Sequence, residues 1–192
     1  MCRTNAEAPL SPPNSPFFEQ QQTIEPFSPI GSDLHDTDSV LLPVDNISPY
    51  LDKVLRALGL HTEARTSFIT YVSHNHHIKL KSHIIPVRFS YWLPSLWKHK
   101  YIALRFLPQA SYEQAAPLNI SPQPDITIRI FMLFKGVAHD ELADWAEAQQ
   151  RAEEDVVWWR YVVDVDIAKV ADVNLFRVLE WGGMEVLRAK PL

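Results

Sequence analysis

Cysteine occurs once, at Cys2, in a chain of 192 residues, which rules out an internal disulfide framework and leaves no set of thiolates for a metal cluster. Glycine is sparse, at five residues, and the chain contains neither a glycine-rich phosphate loop nor a nucleophile elbow. No apolar run approaches the length of a membrane span, and the opening MCRTNAEAPLSPPNSPFF lacks the charged start and apolar centre of a secretory signal. These absences point to a soluble protein of a reducing compartment, cytoplasmic or nuclear. Acidic residues are also missing over a long window. None falls between Glu63 and Glu113, whereas Arg65, Lys79, Lys81, Arg88, Lys98, Lys100 and Arg105 do. A basic window raises the question of nucleic acid. However, Lys79, Lys81 and Arg88 lie in a segment argued below to be an insertion, and the other four suit a helix end and a strand. Nucleic acid is therefore not an expected partner, and the formal net charge is -5.

What is present is enough apolar material, 46% of residues, for one core. Residues 1–40 are rich in Pro, Ser, Gln and Asp without apolar periodicity, and read as a disordered tail. Ser11, Ser15 and Ser28 each precede proline; a solvated leader explains them more simply than phosphorylation by proline-directed kinases. Residues 41–192 form the expected domain.

Within it, Ser48 and Pro49 open a helix whose face is Ile47, Leu51, Val54, Leu55 and Leu58, ended by Gly59. Thr62 caps a second helix. Tyr101 to Leu107 alternates as a strand stopped by Pro108, and Gln109 to Asp125 meanders through three prolines with one helical turn near Tyr112 to Ala116. Ile126 to Phe134 is apolar on both faces, as a central strand would be, and Gly136 ends it. Asp140 caps a third helix; Val156 to Val165 is either its continuation or a strand, and Ile167 to Val170 adds a turn. Leu175 to Trp181 is a further strand, with Gly182 and Gly183 turning Met184 to Leu187 back as a hairpin. The fold class is α+β: a small, mainly antiparallel sheet with two or three helices packed on one face.

The second helix carries an anomaly. Between Thr70 and Tyr91 the chain has no acidic residue and four of the eight histidines, and neither end of the stretch has a turn signal. Joining Thr70 to Tyr91 makes Phe68/Ile69, Trp92/Leu93 and Leu96/Trp97 recur once per helical turn, a continuous amphipathic stripe reaching Lys98. Thr70 to Val72 can be encoded with a splice-donor sequence and Phe89 to Ser90 with an acceptor, in frame, so residues 71–90 read as the translation of a retained intron. His74, His76, His77 and His83 have no cysteine or carboxylate partner in the stretch; no metal site is expected there. Nor is any cofactor.

Each strand carries a charge in its middle: Arg105, Arg129, and Arg177 with Glu180 on opposite faces. Such charges are costly to bury alone, so Arg105 or Arg129 should pair with Glu180. In a functional version, both guanidiniums offer planar donors to a carboxylate or phosphate while Glu180 orients them; a structural ion pair is the plainer version. His61, His99 and His139 fall at helix boundaries, as caps or surface residues, and the carboxylate runs Glu153/Glu154/Asp155 and Asp164/Asp166 suit solvated faces. Tyr91, Trp92, Trp97, Trp145, Trp158, Trp159 and Trp181 are many aromatics for this length, and an exposed subset would suit a partner. A regular helix or strand cannot point Trp158 and Trp159 the same way.

At YWLP (Tyr91 to Pro94), YIALRFLP (Tyr101 to Pro108), PDITIRIFMLF (Pro124 to Phe134) and FRVLEWGGMEV (Phe176 to Val186), the chain resembles an uncharacterised family of fungal stand-alone proteins and bacterial terminal modules. The resemblance runs from about Leu41 to Val186. In that family the counterpart of FITY continues directly into WLP, which agrees with an insertion at 71–90. It implies a shared fold and surface but no activity and no catalytic residue. The expected function is a non-enzymatic module that binds another protein. The alternative is a small enzyme or anionic-ligand-binding domain using Arg105, Arg129, Glu180, Trp181, Tyr91 and Trp92. Removal of Tyr71 to Ser90 is expected to raise the melting temperature, because burying each large side chain of the restored stripe contributes roughly 1.5–3 kcal/mol; equal melting temperatures for the two chains would remove this stability argument.

Overall fold

The structure is a computed structural model describing residues 25–29, 31–73 and 99–187. Its frame is a sheet of four strands: β1 (Val40–Pro43), β2 (Tyr101–Phe106), β3 (Ile126–Val137) and β4 (Arg177–Glu185), in the order β1-β2-β3-β4. β1 and β2, and β2 and β3, are antiparallel, whereas β3 and β4 run parallel with Arg129 opposite Glu180. A parallel pair needs a crossover. The chain between β3 and β4 supplies it, as a 3-10 segment (His139–Trp145), a second 3-10 turn (Val156–Trp158) and three short helices, α4 (Ala146–Ala152), α5 (Trp159–Val163) and α6 (Ile167–Ala171). Earlier in the chain, α1 (Ile47–Ala57) and α2 (Thr62–Ser73) link β1 towards β2, and α3 (Gln109–Ala115) follows β2.

Both faces of the sheet are covered, not one. Strand residues alternate between faces. Val40, Leu42, Ile102, Leu104, Phe106, Ile128, Ile130, Met132 and Phe134 pack with Leu51, Val54 and Leu55 of α1, Phe68 of α2 and Trp159 and Val163 of α5. On the other face Leu41, Ala103, Phe131, Leu133 and Val137 meet Leu34, Trp145 and Ala148. The apolarity of β3 on both sides, legible in the sequence, is what this second layer satisfies.

Leu34 also moves the domain boundary. The composition placed residues up to 40 in a tail, yet Leu34 is 1% exposed and Ser39 is buried. Polar groups hold this stretch down. Lys135 Nζ donates to Asp33 Oδ1 at 2.6 Å and to the Leu34 carbonyl, Arg151 Nη1 donates to the carbonyls of Asp36 and Ser39, and Asp36 accepts from the backbone amides of Glu147 and Ala148 at the start of α4. Burial raises the Asp33 carboxyl, but the hydrogen bonds from Lys135 and the Leu34 amide, with the Lys135 charge, together outweigh it and hold the pKa below the ordinary value.

Other local expectations change for identifiable reasons. α2 is capped by His61, whose Nδ1 accepts from the Ala64 amide, rather than by Thr62, and it runs through Thr70 to Ser73; the rest of the proposed insertion lies outside the described residues, as do Ser11 and Ser15. Gly136 does not end β3, which continues to Val137. The His99 imidazole occupies the space that a side chain at Gly136 would need. Gly182 and Gly183 make no hairpin, since β4 runs straight through them. A Cβ on Gly183 would lie 3.0 Å from the Met132 carbonyl oxygen and one on Gly182 3.3 Å from the Phe131 ring, so the glycines let β4 press close on β3. Val156 to Val163 is helical despite its β-formers, because Trp159 and Val163, one turn apart, both enter the core. Trp158 and Trp159 do share a direction: at the junction of 3-10 turn and helix their rings stack, with centroids 3.8 Å apart.

Trp159, fully buried, donates Nε1–H to the Tyr50 hydroxyl at 2.9 Å. Burial pushes the Tyr50 phenol up to about 12. The unfolded phenol ionises near ~10, so the folded state disfavours the phenolate, and the associated stability is whole below about pH 10 and lost as pH rises through about 12. Thermal melts should show this alkaline loss, on the order of 2–3 kcal/mol, diminished in Tyr50→Phe; superimposable pH profiles would refute it.

Candidate functional site

Of the residues singled out by sequence, the structure brings two together. Arg129 and Glu180 sit opposite each other on β3 and β4, and Arg129 Nε donates to Glu180 Oε2 at 2.5 Å. Arg129 Nη1 donates to Glu113 Oε2 at 2.5 Å and to the Ala116 carbonyl at 2.7 Å. The guanidinium carbon lies 4.3 Å from the centre of the Tyr112 ring, and the Tyr112 hydroxyl donates to Glu180 Oε1. The Arg129 side chain is 3% exposed, against 34% for Glu180 and 50% for Glu113. Burial works against the Arg129 charge, but the hydrogen bonds to Glu180 and Glu113 overcome it and raise its pKa above the ordinary value. Burial, then the nearby Glu180 charge, raises the Tyr112 phenol.

Local sequence explains the position of each group. Pro108 stops β2, and α3 begins at once, laying Gln109, Tyr112 and Glu113 over the exposed end of β3. There β2 no longer pairs with β3, and Gln109 Oε1 takes the Arg129 backbone amide at 2.7 Å while its Nε2 donates to the Asp164 carbonyl. Asp164 adopts the left-handed conformation that ends α5. Gln109 thus ties β3 to the crossover.

The other candidates lie elsewhere. Arg105 stands opposite Leu133, four residues along β3 from Arg129, or about 13 Å at ~3.3 Å per residue. It pairs with Asp38 at 2.9 Å, and its buried Nε has no partner among the described residues. Trp181 is on the opposite face, its ring 5.4 Å from that of Phe68. Tyr91 and Trp92 lie outside the described residues. The two guanidiniums therefore do not converge, and Arg129 already faces two carboxylates. Glu113 was not singled out by sequence because it lies in a proline-rich connection where only one helical turn, near Tyr112 to Ala116, is legible. The signal was there: it is the first acid after the acid-free window, placed just after a proline-terminated strand.

Among the described residues, no group of three or more His, Cys, Asp or Glu is arranged to hold a metal, and no helix is long and apolar enough to cross a membrane. No family model matches the chain, and neither the curated proteins nor the solved structures contain a match.

Glu180→Gln is expected to cost about 2–4 kcal/mol in urea unfolding, since it weakens the compensation of a buried charge. Arg105→Met, at a more exposed pair, should cost less than about 1 kcal/mol. Equal costs would mean that burial of the Arg129 charge is not the governing difference.

Proposed function

We propose that this α+β domain is a non-enzymatic protein-interaction module. The observation that carries the reading is the closure of the Arg129 cluster. Nε and Nη1 of that guanidinium are engaged by the protein's own oxygens, and Arg105 and Trp181 face other surroundings. An anion pocket built on two arginines thereby loses the Nε and Nη1 donors of Arg129, and Arg105 is too far along the sheet to join it. Outward-facing apolar residues support a partner surface instead. Tyr161 on α5, Val173 after α6 and Phe176 before β4 are 83%, 82% and 45% exposed and belong to neither hydrophobic cluster. The motif family that the chain resembles has no known activity, and supports a shared surface rather than a reaction.

Tagged full-length chain expressed in its own cells is expected to co-purify with a protein at fixed stoichiometry. The double variant Tyr161→Asp/Val173→Asp should lose that protein by at least about tenfold, a difference of ~1.4 kcal/mol, at unchanged melting temperature. Saturable binding of phosphate or acetate that disappears in Arg105→Met would instead favour the ligand-binding alternative.

A further inference from the structure

A pocket of about 410 Å³ opens beside the Arg129 cluster, between the end of α3, the connection after it and the start of β3. Of the residues that line it, Glu113, Asn119, Gln123 and Thr127 have polar side chains and Leu118, Ile120 and Pro124 apolar ones. Among the described residues, no lysine or arginine lines it. The charge balance next to it is uneven, because Arg129 serves both Glu180 and Glu113 and one negative charge is left over. Glu113 is the more exposed of the two carboxylates, and only it lines the pocket. Its Oε2 is fixed by a buried guanidinium, so the carboxylate is held in place before any ligand arrives.

We infer that this pocket takes an arginine side chain of a partner protein. The inference rests on the proposed function and gives that partner its chemistry. The aliphatic stem of an arginine lies naturally along Leu118, Ile120 and Pro124. Its planar head can donate to the Glu113 carboxylate and to the side-chain carbonyl oxygen of Asn119 or Gln123 together, which a single ammonium serves less well. An anionic head would meet the surplus charge of Glu113 and is repelled. The formal net charge of -5 on the chain acts in the same sense, attracting a basic partner from a distance.

The probe is acetyl-Ala-Arg-Ala-amide, with the citrulline peptide as a neutral mimic of the same shape, titrated into ¹⁵N-labelled full-length chain. The arginine peptide should shift the side-chain amides of Asn119 and Gln123 and the backbone amide of Thr127, saturably. Affinity should fall at least about fivefold for the citrulline peptide and for Glu113→Gln, the loss of one charge-assisted contact. Because Glu113→Gln also touches the Arg129 cluster, Asn119→Leu/Gln123→Leu is a second variant outside the ion pairs, and should weaken binding at an unchanged melting temperature. Equal binding of the two peptides, shifts scattered over the surface, or binding that survives both variants would overturn the inference. If the peptide fails while a Tyr161-dependent partner still co-purifies, the arginine pocket falls and the interaction module stands. If the peptide binds as described but no partner co-purifies, the pocket's selectivity for an arginine head stands, and its assignment to a partner protein falls with the module.

Discussion

One positive charge sits inside the second layer of this fold, and the surrounding groups are arranged to compensate it. A guanidinium that is 3% exposed costs several kcal/mol to desolvate unless oppositely charged and hydrogen-bonding groups surround it. Here they come from three places: Glu180 on β4, Glu113 on α3 and the Ala116 carbonyl just after α3. Meeting that requirement ties the parallel register of β4 to the position of α3. A shift of β4 by one residue would turn Glu180 to the other face, where Trp181 now packs on Phe68.

The remaining polar anchors act in the same way at the opposite end of the sheet. Asp33, Asp36 and Asp38 come from one short stretch before β1, and Lys135, the first amides of α4 and Arg105 receive them. This stretch carries Leu34 into the second layer, so a segment of tail-like composition becomes part of the core. The interior charges thus serve architecture. Outside them lie the exposed apolar residues of the crossover and the pocket that Glu113 shares with its neighbours, where recognition is proposed.

The uneven legibility of the fold has a common cause. β2 and β3 could be read directly, since alternation and two-sided apolarity are properties of consecutive residues. So could α1, whose apolar face recurs at helical spacing. Val156 to Val163 was ambiguous because its β-formers favour a strand in isolation, and only the pocket that receives Trp159, against Phe106 and Tyr50, makes the helix better. Gly182 and Gly183 look like a turn from the chain alone, yet the neighbouring strand needs their missing side chains.

The candidate site divides along the same line. By itself the sequence determined that this is an α+β chain with one cysteine, a two-sided central strand and charges that must find partners, because composition and periodicity are local properties. It also made a pairing of Arg105 or Arg129 with Glu180 natural, since an arginine flanked by apolar residues demands a carboxylate when buried. Only the tertiary structure decided that Glu113 shares that arginine, that Arg105 goes to Asp38, and that Trp181 faces the other layer. Strand register and helix placement choose among chemically equivalent partners by distance, and distances across the sheet are not written in the order of residues.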